Sequence, residues 1–248
     1  MLQPRTRAAL AAAREAGLHV VVVTGRMFRS VVPYVREAGL SEPVVCYQGA
    51  VVADPESGRF LLHEPIPLEL AREAIASLEE EGFPVNCYVD DELYVARTTP
   101  ESDSYAAFQN LPVHEVGNLL AWIEAPPTKL VAIGDPVTLD GLEQRIKARF
   151  AGRLYVAKSL PYFLEFASPA VTKASGFAFV AEHLGFGAPD TIAFGDGEND
   201  VELLEWAGYA VAVANAHDRV LAVADFVCPP VQEEGVSQVL RALLDSRA

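Results

Sequence analysis

The chain reads as an α/β protein, a doubly wound, Rossmann-like parallel sheet interrupted by an inserted α+β module. Three observations predict this. Helices alternate with β-branched apolar runs near both ends of the chain, the pattern of a parallel sheet covered on both faces. The alternation lapses between about residues 66 and 165, where strand-like runs follow one another as hairpins. Polar turns at Thr24-Gly25 and Gly195–Asp200 come directly after apolar runs, where open α/β sheets bind ligands.

Taken in order, Pro4 opens an alanine-rich helix over residues 5–16 and Gly17 closes it, the usual Pro-then-Gly asymmetry. Leu18–Val23 is a continuous apolar run that predicts a strand buried on both faces, with His19 packed inside it. A helix over residues 30–38 and a strand over 43–47 follow. Val51-Val52 and Phe60–Leu62 flank Asp54-Pro55-Glu56-Ser57-Gly58 as a hairpin would. The inserted module begins with a helix over 68–82. Strands at 85–89 and 92–96 are joined by an Asp90-Asp91 turn. After a polar stretch come a strand at 129–133, a helix at 139–150, and strands at 154–158 and 162–167. Alternation then resumes: helix 173–184, strand 191–194, helix 200–207, strand 209–213, a short helix at 217–223, strand 225–228 and a last helix at 233–244. Trp206 and Tyr209 are expected in the core. The predicted domains are therefore an α/β core of residues 1–65 and 166–248, and an α+β module of residues 66–165.

Composition excludes several function classes. A net charge of −15 argues against nucleic-acid binding, since the surface has no basic stripe to displace counterions. No apolar run approaches the ~20 residues of a membrane span, and Arg14-Glu15 interrupts the region where an export signal needs unbroken apolar residues. Cys46, Cys87 and Cys228 fit neither a disulfide framework nor zinc spacing, which predicts a reducing, cytoplasmic setting. No Gly-x-Gly-x-x-Gly follows a strand, so a dinucleotide site is not expected.

The densest chemistry lies in Gly195-Asp196-Gly197-Glu198-Asn199-Asp200. Three carboxylates and an amide repel one another there unless a cation sits among them, and oxygen donors of this kind suit a hard ion such as Mg²⁺. One acid could instead cap the helix that follows. Thr24 offers a hydroxyl, and the amides around Gly25 could cradle an anion; the alternative is a plain strand-to-helix turn. Lys173 opens a helix, where a cation opposes the macrodipole unless an anion lies nearby. Arg26 reads equally as a phosphate ligand or a solvated side chain.

Together, strand-Thr24-Gly25-Arg26, then Lys173, then Gly195–Asp200 resemble the haloacid dehalogenase-like phosphatases. The closest likeness is to the Cof-type sugar-phosphatase branch, with its large α+β cap. Pro43–Gly49, Asp90–Tyr94 and Pro161–Glu165 extend the resemblance over the whole chain. It implies that Thr24 and Lys173 act on the phosphoryl group, with Gly25, Arg26 and Asn199 as further phosphate ligands. Asp196 and Asp200 would serve the Mg²⁺ site, and the partner would be a small phosphorylated substrate under a closing cap. Two departures stand out. The lysine is followed by Ala174-Ser175-Gly176, where the family has glycine directly after it. The family's Asp-x-Asp-Gly-Thr strand, which supplies the nucleophile and the general acid, has no counterpart, since no Asp-x-Asp occurs in the chain.

By the same resemblance the missing strand is central, lying between those that carry Thr24 and Asp196. Losing roughly five residues of it, at about 1–3 kcal/mol per stranded ladder group, would consume most of a domain's ~5–15 kcal/mol of stability. The polypeptide is therefore expected to be barely stable or to recruit a substitute strand, and to lack turnover. Two accounts fit. One is a phosphatase gene whose true start lies upstream, which an arginine-rich, GC-rich composition favours. The other is a non-catalytic descendant that binds a phosphorylated ligand or partner.

Overall fold

The computed structural model describes residues 2–109 and 111–246. Its contacts divide the chain into two units, Met1–Gly25 with Val31–Leu62 and Thr172–Ala248, and Arg26–Ser30 with His63–Val171.

In the first unit, α1 (Pro4–Glu15) begins at its proline and buries Ala9 and Ala13, one helical turn apart. After α2 (Phe28–Glu37), the short strands β1 (Val44–Cys46), β2 (Val51–Ala53) and β3 (Phe60–His63) form one three-stranded sheet in that order. A tight turn over Tyr47–Gly49 joins the first two.

The second unit opens with α3 (Leu68–Glu80), β4 (Val85–Val89) and β5 (Glu92–Val95), then α4 (Pro100–Gln109), β6 (Val113–Glu115) and α5 (Leu119–Trp122). It continues with β7 (Lys129–Ile133), α6 (Pro136–Arg149), β8 (Tyr155–Leu160) and β9 (Phe163–Ala167). Its six strands form one sheet in the order β6-β5-β4-β7-β9-β8. Val85, Cys87 and Val89 alternate onto the face that carries the core, beside Leu78, Leu142, Ile146 and Phe150. Asp90 and Asp91 both adopt positive φ (51° and 59°), the geometry of a two-residue hairpin turn. Asp91 also accepts the Arg29 N–H at 2.8 Å, and Arg29 pairs with Glu92 at 2.5 Å, so residues 26–30 are tied to this hairpin.

The chain then returns to the first unit with α7 (Lys173–Leu184), β10 (Ile192–Gly195), α8 (Val201–Trp206), β11 (Tyr209–Val213), α9 (Asp218–Val223), β12 (Phe226–Cys228) and α10 (Gly235–Asp245). Strands β10-β11-β12 pair in parallel, with α8 and α9 as crossovers, as the alternation requires.

The expected strand at Leu18–Val23 is the main correction. Its ladder with β1 contracts to one parallel bridge, Val23 to Val45, carried by Thr24 N–H to Val45 O at 2.8 Å and Val45 N–H to Val22 O at 2.9 Å. Val20–Val23 are only partly buried. A strand with a three-residue neighbour on one side, and no second neighbour among the described residues, has too few cross-strand bonds to hold a register. Packing keeps it in place instead. Val21 and Val23 touch both the Phe177–Ala193–Leu204 cluster and the Val45–Val52–Val180 cluster. Strand β10 likewise pairs only with β11 among the described residues, and Ile192 and Phe194 stay partly exposed. No substitute strand joins either edge among the described residues.

Two smaller expectations also fail. His19 is not packed inside a strand: its side chain is 49 % exposed, bonded to Glu42 at 2.9 Å and stacked on Phe186. Tyr209 is 43 % exposed at the start of β11. Trp206 does pack edge-on against Phe177, 5.3 Å between ring centres.

Candidate active site

The local sequence explains how the site is assembled. Thr172 caps α7: its Oγ1 accepts the Ser175 N–H at 3.0 Å, and Ser175 Oγ accepts the Thr172 N–H at 3.0 Å. This reciprocal pair fixes Lys173 as the first helical residue. Gly176 then lets the helix approach the turn after β1, since a Cβ there would lie 2.7 Å from Val45 Cγ1 and 2.8 Å from Gly49 Cα. The displaced glycine of the Lys173-Ala174-Ser175-Gly176 sequence therefore has its own packing reason.

Lys173 is buried, and its Nζ donates to Asp200 Oδ1 at 2.5 Å and to Asn199 Oδ1 at 3.3 Å. The Lys173 and Asp200 side chains are 9 % and 7 % exposed. Burying two charges is tolerable only when their remaining hydrogen-bonding capacity is filled. Asp200 meets that condition, because its Oδ2 accepts the N–H groups of Asp196 and Gly197, each at 3.0 Å. Asp200 thus ties the acid loop to the start of α7 and offsets the cation that opposes the helix dipole. Asn199 carries the network onward, its Nδ2 donating to Gln48 Oε1 at 2.8 Å. Gln48 N–H in turn donates to Thr24 O at 3.1 Å.

Thr24, Gln48, Lys173, Asn199, Asp200 and the backbone of Asp196 thereby form one connected array at the carboxyl end of β10. Gly25 belongs to it by steric necessity, since a Cβ there would lie 2.4 Å from Gln48 Nε2. Arg26 groups with the second unit and donates to Ser30 Oγ at 3.5 Å. Glu198 pairs with the exposed Arg219 at 2.5 Å. His217 caps α9 through its side chain, and its N–H donates to Asp196 O at 2.9 Å.

Sequence reasoning missed Gln48. Tyr47, Gln48 and Gly49 all take positive φ (52°, 61° and 110°), and consecutive left-handed residues of this kind store strain that surrounding structure must hold. Gly49 is compelled, because a Cβ there would lie 2.0 Å from Thr172 O. The readable signal was the lone Gly49 just after a strand.

The donor set fits a divalent ion only in part. Asp196 presents an exposed carboxylate, a hard oxygen donor of the kind Mg²⁺ takes. Both Asp200 oxygens are already committed, and among the described residues no group of three or more His, Cys, Asp or Glu could hold a metal. These residues alone do not make a complete Mg²⁺ site. What the array presents is one buried ammonium, held by Asp200 and Asn199.

A family model for haloacid dehalogenase-like hydrolase matches residues 1–240. The chain is 31 % identical over 238 residues to the phosphoglycolate phosphatase of Methanopyrus kandleri, covering 92 % of this chain and 84 % of that one. The crystal structure of TM0651 from Thermotoga maritima superposes with a TM-score of 0.86 at 31 % identity, covering 97 % of this chain and 90 % of the other. A subclass IIB sugar phosphatase, BT4131, shares the fold with a TM-score of 0.83 at 21 % identity over 98 % of this chain and 92 % of its own.

Proposed function

The chain belongs to the haloacid dehalogenase-like hydrolase family, and on that premise we propose that it is a Cof-type scaffold for phosphate-ester chemistry on small phosphomonoesters, sugar phosphates among them. In this reading Lys173 neutralises the phosphoryl group, and Thr24, the Gly25 amide and Asn199 orient it. Asp200 is a positioning residue that holds Lys173 and the acid loop. Asp196 is the carboxylate this chain offers to Mg²⁺, which when bound would offset phosphoryl charge. Arg26, whose guanidinium also donates to Ser30, is a further phosphate ligand in this reading.

The observation that carries the reading is the buried Lys173–Asp200 pair continuing through Asn199 to Gln48 and Thr24. A surface lysine would need no such support, whereas a phosphate ligand must be held in place before the anion arrives. In-line displacement at phosphorus also requires a nucleophile and a proton donor. The family supplies both from an Asp-x-Asp strand that this sequence lacks. The 248-residue polypeptide is therefore proposed to bind phosphate esters without turning them over. A second reading, which the same Lys173-centred array supports, is a non-catalytic member whose task is to bind a phosphorylated ligand.

The test uses the purified chain with p-nitrophenyl phosphate and Mg²⁺, and separately with inorganic phosphate in a calorimetric titration. The expected result is no release of nitrophenol above background, with phosphate binding that Lys173→Met weakens about tenfold or more, the loss of one charge-assisted hydrogen bond. Hydrolysis that EDTA abolishes would overturn the inactivity. Phosphate binding indifferent to Lys173→Met would overturn the site.

A further inference from the structure

The second unit contains a cavity of its own, of ≈ 1060 Å³, at the end of its sheet where β4 begins and β5 and β7 finish. The Asp90-Asp91 turn lies at the other end of β4, about 16 Å away at ~3.3 Å per residue. Phe83, Val85, Val95, Ile133 and Phe163 contribute apolar wall, and Arg97 and Glu79 bring opposite charges to the lining. The volume is that of an ordinary small-molecule site, roughly 300–1,000 Å³.

Asn86 is also part of the lining, and it carries the inference. It is 1 % exposed, directly opposite Val95 on β5 and Val131 on β7, and its Nδ2 is buried with no hydrogen-bond partner among the described residues. The residues directly opposite on the same face, Val95 and Val131, are apolar, so this position would suit an apolar residue as well. A buried amide donor left unsatisfied costs about 1–3 kcal/mol, and such groups in folded proteins call for an explanation. The χ2 torsion of asparagine is soft, so the amide can turn toward an acceptor that enters the cavity.

We propose that this cavity is a second binding site, separate from the phosphate array, for a neutral, ring-sized organic molecule whose carbonyl-type acceptor takes the hydrogen bond of the Asn86 amide. Apolar and aromatic walls accept the ring, the opposed charges of Arg97 and Glu79 select against a net ionic ligand, and the orphaned donor fixes the orientation.

The experiment titrates the full chain with indanone and with indane, which share a skeleton and differ in the carbonyl, and follows backbone amide shifts by NMR. Indanone is expected to shift the amides of Val85, Val95 and Gly134 and to bind about tenfold more tightly than indane. Asn86→Leu, a near-isosteric change, should bring indanone down to the affinity of indane and leave indane binding unchanged, which shows that the cavity survives. Equal affinities in the unaltered chain, a ketone preference that persists in Asn86→Leu, shifts confined to other regions, or a water on Nδ2 that indanone does not displace in a crystal structure would each overturn the proposal. None of these readouts depends on phosphate binding at Lys173, so the two sites fail or stand separately.

Discussion

Lys173 and Gly49 show how much of a site is decided by single residues. The lysine is a helix-opening cation in the sequence, by itself more often a solvated side chain than a ligand. Burial beside Asp200, and the two amide donors that complete that carboxylate, make it a fixed charge. Gly49 matters for the opposite reason, as the absence of a side chain. Alanine there must hold φ of +110° and also displace the Thr172 carbonyl, which lies 2.0 Å from the new Cβ. Gly82 has φ of +80° with nothing within 4 Å of a Cβ. Gly82→Ala should therefore cost only about 1–2 kcal/mol, the left-handed penalty alone. Gly49→Ala should cost roughly 3 kcal/mol or more, because backbone strain and a backbone clash add. Urea midpoints of the two variants measure the difference, and equal costs would mean that the turn does not bear on α7.

At the scale of elements, most were legible because their periodicity or caps are strong. β7, α7 and β11 fall at their expected residues. α6 starts three residues early because Asp135 accepts the N–H groups of Val137 and Thr138 ahead of the apolar pattern. α4, β6 and α5 were hidden in what reads as a polar stretch, since α4 has little apolar periodicity and β6 is a three-residue edge strand. Leu18–Val23 failed for a different reason. Its composition is that of a buried strand, but a strand exists only through its neighbours, and this one has a single bridge. That segment and β10 each present a partly buried apolar edge that is unpaired among the described residues. A chain extended at its N-terminus by an apolar strand ending in Asp-x-Asp-Gly-Thr should slow hydrogen exchange at residues 20–23 and 192–195 by about tenfold or more. It should also gain Mg²⁺-dependent hydrolysis that Lys173→Met or Asp196→Asn abolishes. Unchanged exchange at both edges would mean that neither accepts a strand.

For the whole molecule, the two units differ in how their cores are joined. The second has one continuous six-stranded sheet over a single large apolar cluster. Among the described residues, the first divides its strands between two three-stranded sheets, with separate apolar clusters around Leu204, Val180 and Val211. Stability follows contiguous burial, so the first unit should open at lower urea. The cysteines report this directly, because Cys46 and Cys228 lie in the first unit and Cys87 in the second, all three buried. A thiol reagent should label Cys46 and Cys228 at lower urea than Cys87, and simultaneous labelling would mean one cooperative transition. Burial also pushes the Cys87 thiol up to about 12 from an ordinary value of 9.0. Between those values the unfolded chain has released a proton that the folded chain keeps. The second unit should therefore lose stability as the pH rises above 9, and a Cys87→Ala chain should lose less.

The sequence by itself determined the α/β class and singled out Thr24, Lys173, Asn199 and Asp200, which the structure joins in one hydrogen-bonded array. Hydrophobic period, turn chemistry and the crowding of acids after a strand are local properties that any reader of the chain can see. Tertiary structure alone decided that Asp200 braces Lys173, that Gln48 joins the array, that Leu18–Val23 does not complete a ladder, and that Asn86 faces a cavity without a partner. Each of these depends on what a distant segment places beside the residue, and hydrogen bonding, burial and steric contact between distant segments leave no trace in local pattern.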